Sequence, residues 1–296
     1  MKYIITGSLG HISKPLAQRL LQAGQHVTII SSDPAKKTAI QELGATAAIG
    51  SVEDPAFLTK TFTGADAVYT MVPPTLSAPD WREYIANVGK NYATAIREAG
   101  VKYVVNLSSI GAHLPEGCGP VSGLYAVEQT LNALEEVAVL HLRPGFFYYN
   151  FLQNTGMVKH LNIIGGNYGP DTKLVLVDTD DIAEVAAEEL LKLSFTGKSY
   201  RHIVSDERST RQIAAVLGRA VGKEDLPWVD FSDEDTLAAL LQNGLSLDVA
   251  QNNTEMVAAL RNGTMNAYYH QHPGTPLSNI KLEDFAPIFA RAFAQA

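Results

Sequence analysis

Short apolar runs alternate with helical segments along the first half of the chain, and this alternation constrains the fold more than any other feature. The first unit joins a β-rich run, Lys2–Thr6, to a segment of helical periodicity, Pro15–Ala23, and then to the uninterrupted apolar run Val27–Ile30. Apolar runs of this kind are typical of parallel strands that helices cover on both faces. The sequence therefore predicts an α/β fold with a Rossmann-type doubly wound parallel sheet and right-handed crossovers.

The alternation continues well beyond this first unit. Further strands are predicted at Ala45–Ile49, Ala67–Val72, Tyr103–Leu107, Ala138–Leu142, Lys173–Val177 and Tyr200–Val204, and helices at Pro55–Phe62, Trp81–Ala99, Tyr125–Glu136 and Asp181–Leu193. Beyond Asn150 the rhythm breaks, and the last part of the chain is predicted to be mostly helical, with loop breaks at Gly222, Asn243-Gly244 and His272–Pro276. We predict a dinucleotide-binding domain over residues 1–150, to which residues 174–206 return. Residues 151–173 and 207–296 would form a smaller substrate-binding region.

Charge and composition limit the binding partners and the cellular compartment that are expected for this chain. The 296 residues carry a formal net charge of −8 at pH 7, and no stripe of Lys and Arg stands out, so direct binding to nucleic acid is not expected. Apolar stretches fall short of a membrane span and no apolar leader precedes the first strand, which predicts a cytoplasmic monomer or homodimer without membrane contact. The single cysteine, Cys118, agrees with a reducing compartment. His270 and His272 lack an evident third ligand, so no metal site is predicted.

A glycine turn follows the first strand and opens the first helix. It reads Gly7-Ser8-Leu9-Gly10-His11-Ile12-Ser13, with glycines three residues apart. In such a turn the backbone N–H groups and the helix dipole meet a pyrophosphate, because the first glycine permits the tight turn and the second lets the phosphate approach. Ser13 replaces the third glycine and is still small enough for close packing. A dinucleotide is therefore predicted to contact Gly7, Ser8, Leu9, Gly10, His11 and Ile12.

The end of the second strand selects between the two nicotinamide dinucleotides. Ser31, Ser32 and Lys36 are suited to the 2′-phosphate of NADP, whereas Asp33 would hold the ribose hydroxyls of NAD if it pointed inward. In the alternative interpretation, Asp33 and Pro34 begin a helix and the lysine is solvated. On balance these residues favour NADP over NAD, and all four are candidate cofactor contacts.

Several segments in this order carry a family resemblance. They are Gly7–Ser13, Gly64–Val68 before Val72-Pro73-Pro74, Ala99–Val105, Ser108–Ala112, Glu128 in its helix, and Leu142–Phe147 with Asn150. The chain resembles the NmrA-like branch of the atypical short-chain dehydrogenase/reductase superfamily over nearly its whole length. The resemblance implies either a reductase of quinones and aromatic ketones or a protein that binds the cofactor as a redox sensor without turnover.

The resemblance also implies where the cofactor lies. The groove would be lined by Met71, Val72, Pro73, Pro74, Ser108 and Ser109, with Pro144, Gly145 and Phe146 near the nicotinamide. Two departures from the family pattern stand out. The family often has arginine where Ser32 stands, and often has Gly-Asp where Gly50-Ser51 stands, so the residue that most often selects NADP is missing here.

The catalytic pair of the wider superfamily is also missing. That pair is Tyr-x-x-x-Lys, in which the lysine lowers the pKa of the phenol. No lysine of this chain has a tyrosine four residues before it, and Tyr125, the nearest candidate, has Gln129 in the lysine position. Hydride transfer to a quinone needs chiefly orientation, because the ring accepts the charge. We therefore expect reduction of a small quinone-like or aromatic carbonyl acceptor without the pair.

Aromatic and hydroxyl side chains supply the remaining candidates. Ser109 and Tyr125 are the candidate catalytic residues, and the substrate pocket is predicted to contain His113, Phe147, Tyr148, Tyr149 and Asn150, with Phe146 and Phe151 adding to its aromatic wall. Tyr125, Tyr148, Tyr149 or His113 could donate a proton. A redox sensor stays open as the alternative, because it needs no catalytic pair. Epimerisation of a sugar nucleotide ranks last, because it needs the pair most.

Overall fold

The computed structural model describes residues 1–75, 77–272 and 277–296, so most of the predicted break at His272–Pro276 lies outside the described residues. The strands are β1 (Lys2–Ile5), β2 (His26–Ser31), β3 (Thr46–Ile49), β4 (Ala67–Thr70), β5 (Tyr103–Leu107), β6 (Ala138–Pro144), β7 (Phe146–Phe147), β8 (Ile164–Gly166), β9 (Lys173–Val177), β10 (Lys198–Ile203), β11 (Asp206–Ser209) and β12 (Trp228–Asp230). The helices are α1 (Ser13–Gln22), α2 (Lys37–Glu42), α3 (Pro55–Phe62), α4 (Trp81–Ala99), α5 (Pro120–Asn132), α6 (Thr155–Leu161), α7 (Thr179–Lys192), α8 (Thr210–Ala220), α9 (Asp233–Gln242), α10 (Leu247–Arg261), α11 (Thr264–Gln271) and α12 (Leu282–Gln295). Two 3-10 segments cover Pro34–Lys36 and Tyr148–Asn154.

Seven strands form one parallel sheet, and their order is β10-β6-β5-β4-β1-β2-β3. Ile5 of β1 pairs with Ile29 of β2 on one side and with Tyr69 of β4 on the other. The winding reverses between β1 and β4, and in open α/β sheets such a reversal leaves a crevice at the carboxyl ends of the strands. The predicted doubly wound fold is confirmed, and the crevice lies where the glycine turn begins.

Successive residues of β1 face opposite layers of helices. Ile5 packs with Leu16 and Leu20 of α1, whereas Ile4 packs with Leu58 of α3 and Ile96 of α4. All six side chains are fully buried. Side chains alternate between the faces of a strand, so a sheet with helices on both faces needs apolar residues at consecutive positions. This packing explains why the strands of the sheet are uninterrupted apolar runs.

The smaller lobe is built on two short sheets. One has the strand order β11-β9-β7, and the other pairs β12 with β8. Its core contains the buried rings of Tyr148, Phe151, Phe285 and Phe289. Within residues 174–206, β10 forms the edge strand of the seven-stranded sheet beside β6, whereas β9 pairs with β7 and β11 in the smaller lobe. None of the helices in the described ranges has the length and apolarity that a bilayer crossing requires.

Candidate functional site

A groove of about 590 Å³ opens at the carboxyl ends of β1, β2 and β4. Twelve of the predicted residues line it: Gly7, Ser8, Gly10, His11, Ile12, Ser31, Ser32, Met71, Pro73, Pro74, Phe147 and Tyr149. The remaining lining comes from Ser13, Ile30, Gly50, Ser51, Val52, Glu53, Tyr69, Thr75, Tyr84, Leu107 and Thr179. Cavities of this size accommodate ligands from small drugs to cofactors.

The turn at the head of the groove has a backbone that requires glycine. Gly7 has φ +89° and Ser8 has φ +55°, both in the region that favours glycine. A Cβ on Gly7 would lie 2.5 Å from Ser13 Oγ, and a Cβ on Gly10 would lie 3.0 Å from the carbonyl oxygen of Gly7. Ser13 in turn donates through its hydroxyl to the carbonyl of Thr6 at 2.8 Å. The serine in the third glycine position therefore ties the helix to the end of β1.

Helix α1 begins with free backbone donors at this turn. Ile12 is its N-cap residue and has no side-chain cap, and the amides of His11 and Ile12 have no acceptor among the described residues. The N-terminus of a helix carries a partial positive charge, and its unpaired N–H groups point along the axis. Together with the close approach that Gly10 permits, these amides form a site for a phosphate group.

Two serines and one glutamate shape the groove at the end of β2. Ser8 Oγ donates to Ser31 Oγ at 2.9 Å, and Ser32 is exposed beside them. The carboxylate of Asp33 is turned away to accept from the amide of Ala35 at 2.9 Å, which caps the 3-10 segment. Among the described lining residues Glu53 is the one carboxylate, and none is Lys or Arg. Lys36 is exposed outside this lining.

The floor of the groove is fixed from β4. The amide of Met71 donates to Thr6 Oγ1 at 2.9 Å, and its carbonyl accepts from the Tyr92 hydroxyl at 2.6 Å. Tyr69 is fully buried under the groove, and its hydroxyl has no partner among the described residues. Burial raises the pKa of Tyr69, so the hydroxyl stays protonated and remains a hydrogen-bond donor.

Aromatic rings line the groove beside the glycine turn. Phe147 and Tyr149 both line it, and the ring centroids of Tyr149 and His11 lie 3.7 Å apart. Burial lowers the pKa of His11, so its imidazole is neutral at neutral pH and stacks as an uncharged ring. The turn that can hold phosphate and the aromatic rings therefore meet in one groove.

Several predicted residues lie away from this groove. Leu9 packs against the core beside the sheet, and Val72 packs against the layer on its other face. Gly145 has no room for a side chain, because a Cβ would lie 2.5 Å from the carbonyl oxygen of Val175. Pro144 is buried at the end of β6. Cofactor contacts of these residues, of Asp33 and of Lys36 stay predictions.

The predicted substrate residues separate in the same way. Tyr148 is fully buried in the smaller lobe, where its hydroxyl donates to the carbonyl of Ile280 at 3.3 Å. Phe146 and Asn150 line a second cavity, described below. His113 lies against the ring of Tyr268, with centroids 4.7 Å apart. Consecutive aromatic residues after β6 therefore face three different environments instead of one pocket.

The two candidate catalytic residues also lie outside the groove lining. Ser109 donates through its hydroxyl to the carbonyl of Ile110 at 2.9 Å. Tyr125 is half-buried on α5, and Gln129, one turn later, is exposed. A catalytic role for Ser109 or Tyr125 stays a prediction.

A buried ion pair joins the ends of β5 and β6 to α5. Arg143 donates from Nε to Glu128 Oε1 at 2.9 Å and from NH2 to Glu128 Oε2 at 2.5 Å, and the hydroxyl of Ser108 donates to the same Oε1 at 2.5 Å. The side chains of Arg143 and Glu128 are 8% and 2% exposed. The guanidinium carbon lies 4.4 Å from the ring centroid of Tyr200. Ser108 is thus held by Glu128 and does not line the groove.

Sequence reasoning missed the groove residues that follow β3, together with Tyr69, Tyr84 and Thr179. Gly50, Ser51 and Glu53 come directly after β3, at the same edge of the sheet as the glycine turn. Because ligands of open α/β sheets bind at the carboxyl ends of the strands, the predicted parallel strand at Ala45–Ile49 was the signal that could have identified these residues. Tyr84 lies on α4 and Thr179 is the first residue of α7. No local sequence pattern identifies either of them as a groove residue.

Solved structures with the same fold include two reductases. A quinone oxidoreductase of Escherichia coli, described as NADPH-dependent, is 22% identical, with a TM-score of 0.74 over 96% of this chain and 98% of that one. A triphenylmethane reductase of Citrobacter sp. is 18% identical, with a TM-score of 0.78 over 98% of this chain and 100% of that one. The same reductase complexed with NADP(H) is 19% identical, with a TM-score of 0.78 over 97% of this chain and 99% of that one.

At these identities the likeness establishes the fold, which this chain shares with these reductases. A search of curated protein sequences finds no match. The model of the NmrA-like family matches residues 2–257, which include the glycine turn, the whole of the groove lining and the Glu128–Arg143 pair. The chain therefore belongs to the NmrA-like family.

Proposed function

We propose that the protein is an NAD(P)H-dependent oxidoreductase that reduces a small quinone-like or aromatic carbonyl acceptor. One observation carries the proposal: a single groove of about 590 Å³ contains both the free helix amides of the glycine turn and the rings of Phe147 and Tyr149. A dinucleotide needs the first feature for its phosphates, and a flat acceptor needs the second for stacking.

The residues of the groove fit a dinucleotide. The amides of His11 and Ile12 would hold the pyrophosphate, and Gly7 and Gly10 leave the space for it. Met71 is fixed by two hydrogen bonds and would support the flat end of the cofactor from the floor of the groove. When bound, the reduced nicotinamide supplies the hydride.

We propose NADPH as the preferred cofactor. Ser31 and Ser32 offer hydroxyls at the end of β2, while the carboxylate that would hold the ribose hydroxyls of NADH, that of Asp33, already caps the 3-10 segment. Glu53 opposes this preference, because its carboxylate repels a 2′-phosphate. The NADPH and NADP(H) named for two reductases of this fold agree with the choice.

The chain's own part in the reaction is orientation. Phe147 and Tyr149 would stack on the acceptor and exclude water from one face of it. The carbonyl carbon or quinone ring accepts the hydride, and its oxygen takes a proton from water, so no lysine-activated phenol is required. Tyr125→Phe is expected to keep most of the rate for this reason.

The test is oxidation of NADPH, followed through the absorbance of the reduced nicotinamide, with a panel of quinones and aromatic ketones. NADH is run in parallel to measure the cofactor preference. Tyr149→Ala should lower kcat/KM by at least about tenfold, because misplacement of an acceptor by about 1 Å can cost about a hundredfold. Tyr149→Phe is the matched control, since it keeps the ring and removes only the hydroxyl.

Each result distinguishes one interpretation. Loss of activity in Tyr149→Phe or in Tyr125→Phe would identify a proton donor and overturn the mechanism by orientation alone. Tight NADPH binding with no turnover of any acceptor would overturn the enzyme and leave the redox sensor. Equal affinities for NADPH and NADH would overturn the cofactor preference.

A further inference from the structure

The smaller lobe contains a second cavity of about 700 Å³. It lies between the β8–β12 pair, the 3-10 segment after β7, and helices α9 and α10. Its described lining shares no residue with that of the groove. Phe146 and Phe147 are the two residues of β7, and Phe146 lines the cavity while Phe147 lines the groove. The two spaces therefore lie on opposite faces of the same short strand.

Five aromatic rings line this cavity, together with several Asn side chains. Phe146 and Tyr168 meet edge to face with centroids 5.7 Å apart, and Tyr168 and Trp228 do so at 6.1 Å. Glycine makes this packing possible, because a Cβ on Gly166 would lie 2.8 Å from the ring of Tyr168. Faces and edges of such rings favour a flat, apolar ligand.

Two polar groups in the wall have no partner within the described chain. They are Trp228 Nε1 and Thr236 Oγ1, and both atoms are buried. An indole N–H can only donate, and a buried donor without an acceptor costs free energy. Native proteins pair nearly all such groups, so these two call for an acceptor, which they would reach by turning towards the cavity.

The charges of the cavity wall do not favour an anionic ligand. Among the described residues of the cavity wall none is Lys, Arg or His. Asp235 is the one acid there, and it is exposed, with Oδ2 accepting from the hydroxyl of Ser232 at 2.7 Å. An anion such as a nucleotide or sugar nucleotide would be desolvated without any compensating cation.

We propose that this cavity is a second small-molecule site, for an uncharged, flat compound whose carbonyl accepts a hydrogen bond from Trp228 or Thr236. The site shares no lining residue with the dinucleotide groove and does not rest on the proposed reductase activity. Its ligand class follows from the ring walls, the two unpaired donors and the lack of cations.

Titration calorimetry with chromone, 1-indanone and 1,4-naphthoquinone measures affinity, with the anion 2-naphthoate as the negative probe. The chain has two tryptophans, so in a Trp81→Phe background the fluorescence of Trp228 reports occupancy of the cavity directly. We expect saturable binding of at least one neutral probe, a matching change in Trp228 fluorescence, and no binding of 2-naphthoate.

Two neighbouring alanines of α9 provide a blocking variant and its control. Both are exposed, but only Ala239 lines the cavity. Ala239→Phe should weaken the neutral probe by at least about tenfold, and Ala238→Phe should leave it within about twofold. Thr236→Val should weaken it by about threefold without loss of stability, because the hydroxyl has no partner to lose among the described residues.

Three results would overturn the proposal. They are no saturable binding of any neutral probe, equal affinity in Ala239→Phe and the parent, and complete displacement of the probe by saturating NADPH. The last result would place the probe in the groove. None of these experiments measures catalytic activity. Their results therefore test the second site separately from the proposed reductase activity.

Discussion

The groove and the second cavity are similar in volume, but the groove depends on backbone groups and the cavity on side chains. The groove is made largely of backbone at the carboxyl ends of strands, where Gly7 and Gly10 leave amides accessible. The cavity is made of side chains from segments that are distant in sequence, such as Phe146, Trp228 and Thr236. A backbone site is specified by a few consecutive residues, whereas a side-chain site depends on the whole tertiary arrangement. The first can be recognised in a sequence, and the second cannot.

The strongest test of this contrast puts a side chain into the backbone site. Gly10→Asp should abolish NADPH binding while the protein stays folded. A carboxylate there repels the pyrophosphate by about 4 kcal/mol for each charge, taking a separation of about 4 Å and an effective dielectric constant of about 20. Thermal-shift titration with NADPH is the measurement.

Gly156→Asp is the matched control for that variant, because a Cβ at Gly156 meets open space on α6. It should bind NADPH like the parent. A parental NADPH shift in folded Gly10→Asp would mean that the phosphates bind elsewhere and that the groove is not specified by its turn.

A smaller effect is expected from the buried ion pair between Glu128 and Arg143. Glu128→Ala leaves Arg143 buried without its partner and should lower the free energy of unfolding by about 3 kcal/mol. Urea denaturation at neutral pH measures it. Glu136→Ala, which breaks the exposed pair with Lys102, should cost less than about 1 kcal/mol. Similar losses in the two variants would show that burial adds nothing to the first pair.

The smallest effect is a loss of stability at low pH, which arises from a buried histidine in the sheet behind the groove. His141 is buried, with Nδ1 facing the amide of Asn106 at 3.1 Å and Nε2 facing Asn132 Oδ1 at 3.0 Å, and burial lowers its pKa to about 4. The unfolded chain then binds the proton more tightly. Stability is complete above the unfolded pKa of about 6.5 and is lost as the pH falls towards 4, by about 2 kcal/mol at pH 5.

Unfolding in urea at pH 7 and at pH 5 measures this loss. His202, whose pKa burial also lowers to about 4, adds to it in the parent. The variant His141→Gln should lose less stability between the two pH values than the parent does. Parallel pH profiles for parent and variant would remove His141 as a cause.

Much of the fold followed from the sequence because its signals are local. The predicted bounds of α3, α4, β5 and β9 agree with the structure. Helix α5 was expected at Tyr125–Glu136 but spans Pro120–Asn132, because Pro120 occupies its first turn and Glu136 has φ +53° beyond its end. Asp33 caps the 3-10 segment, as one of its two interpretations had it, since its carboxylate accepts from the amide of Ala35 at 2.9 Å.

The aromatic run after β6 shows where sequence reasoning stopped. Phe147 and Tyr149 line the groove, Phe146 lines the second cavity, and Tyr148 is in the core of the smaller lobe. Composition alone predicted one aromatic pocket. The division arises from alternation along β7 and the turn that follows it, and from partners such as Phe285 that lie far away in the chain. No local pattern identifies those partners.

The two-residue strand β7 also links the groove and the second cavity energetically. Phe146 and Phe147 share one peptide unit and face different spaces, so a ligand that shifts one ring acts on the backbone of the other. Thermodynamic reciprocity then fixes the outcome: whatever factor an occupant of the cavity imposes on dinucleotide affinity, the dinucleotide imposes on that occupant. A strand too short to contribute much to folding would thereby set the cooperativity between two ligands.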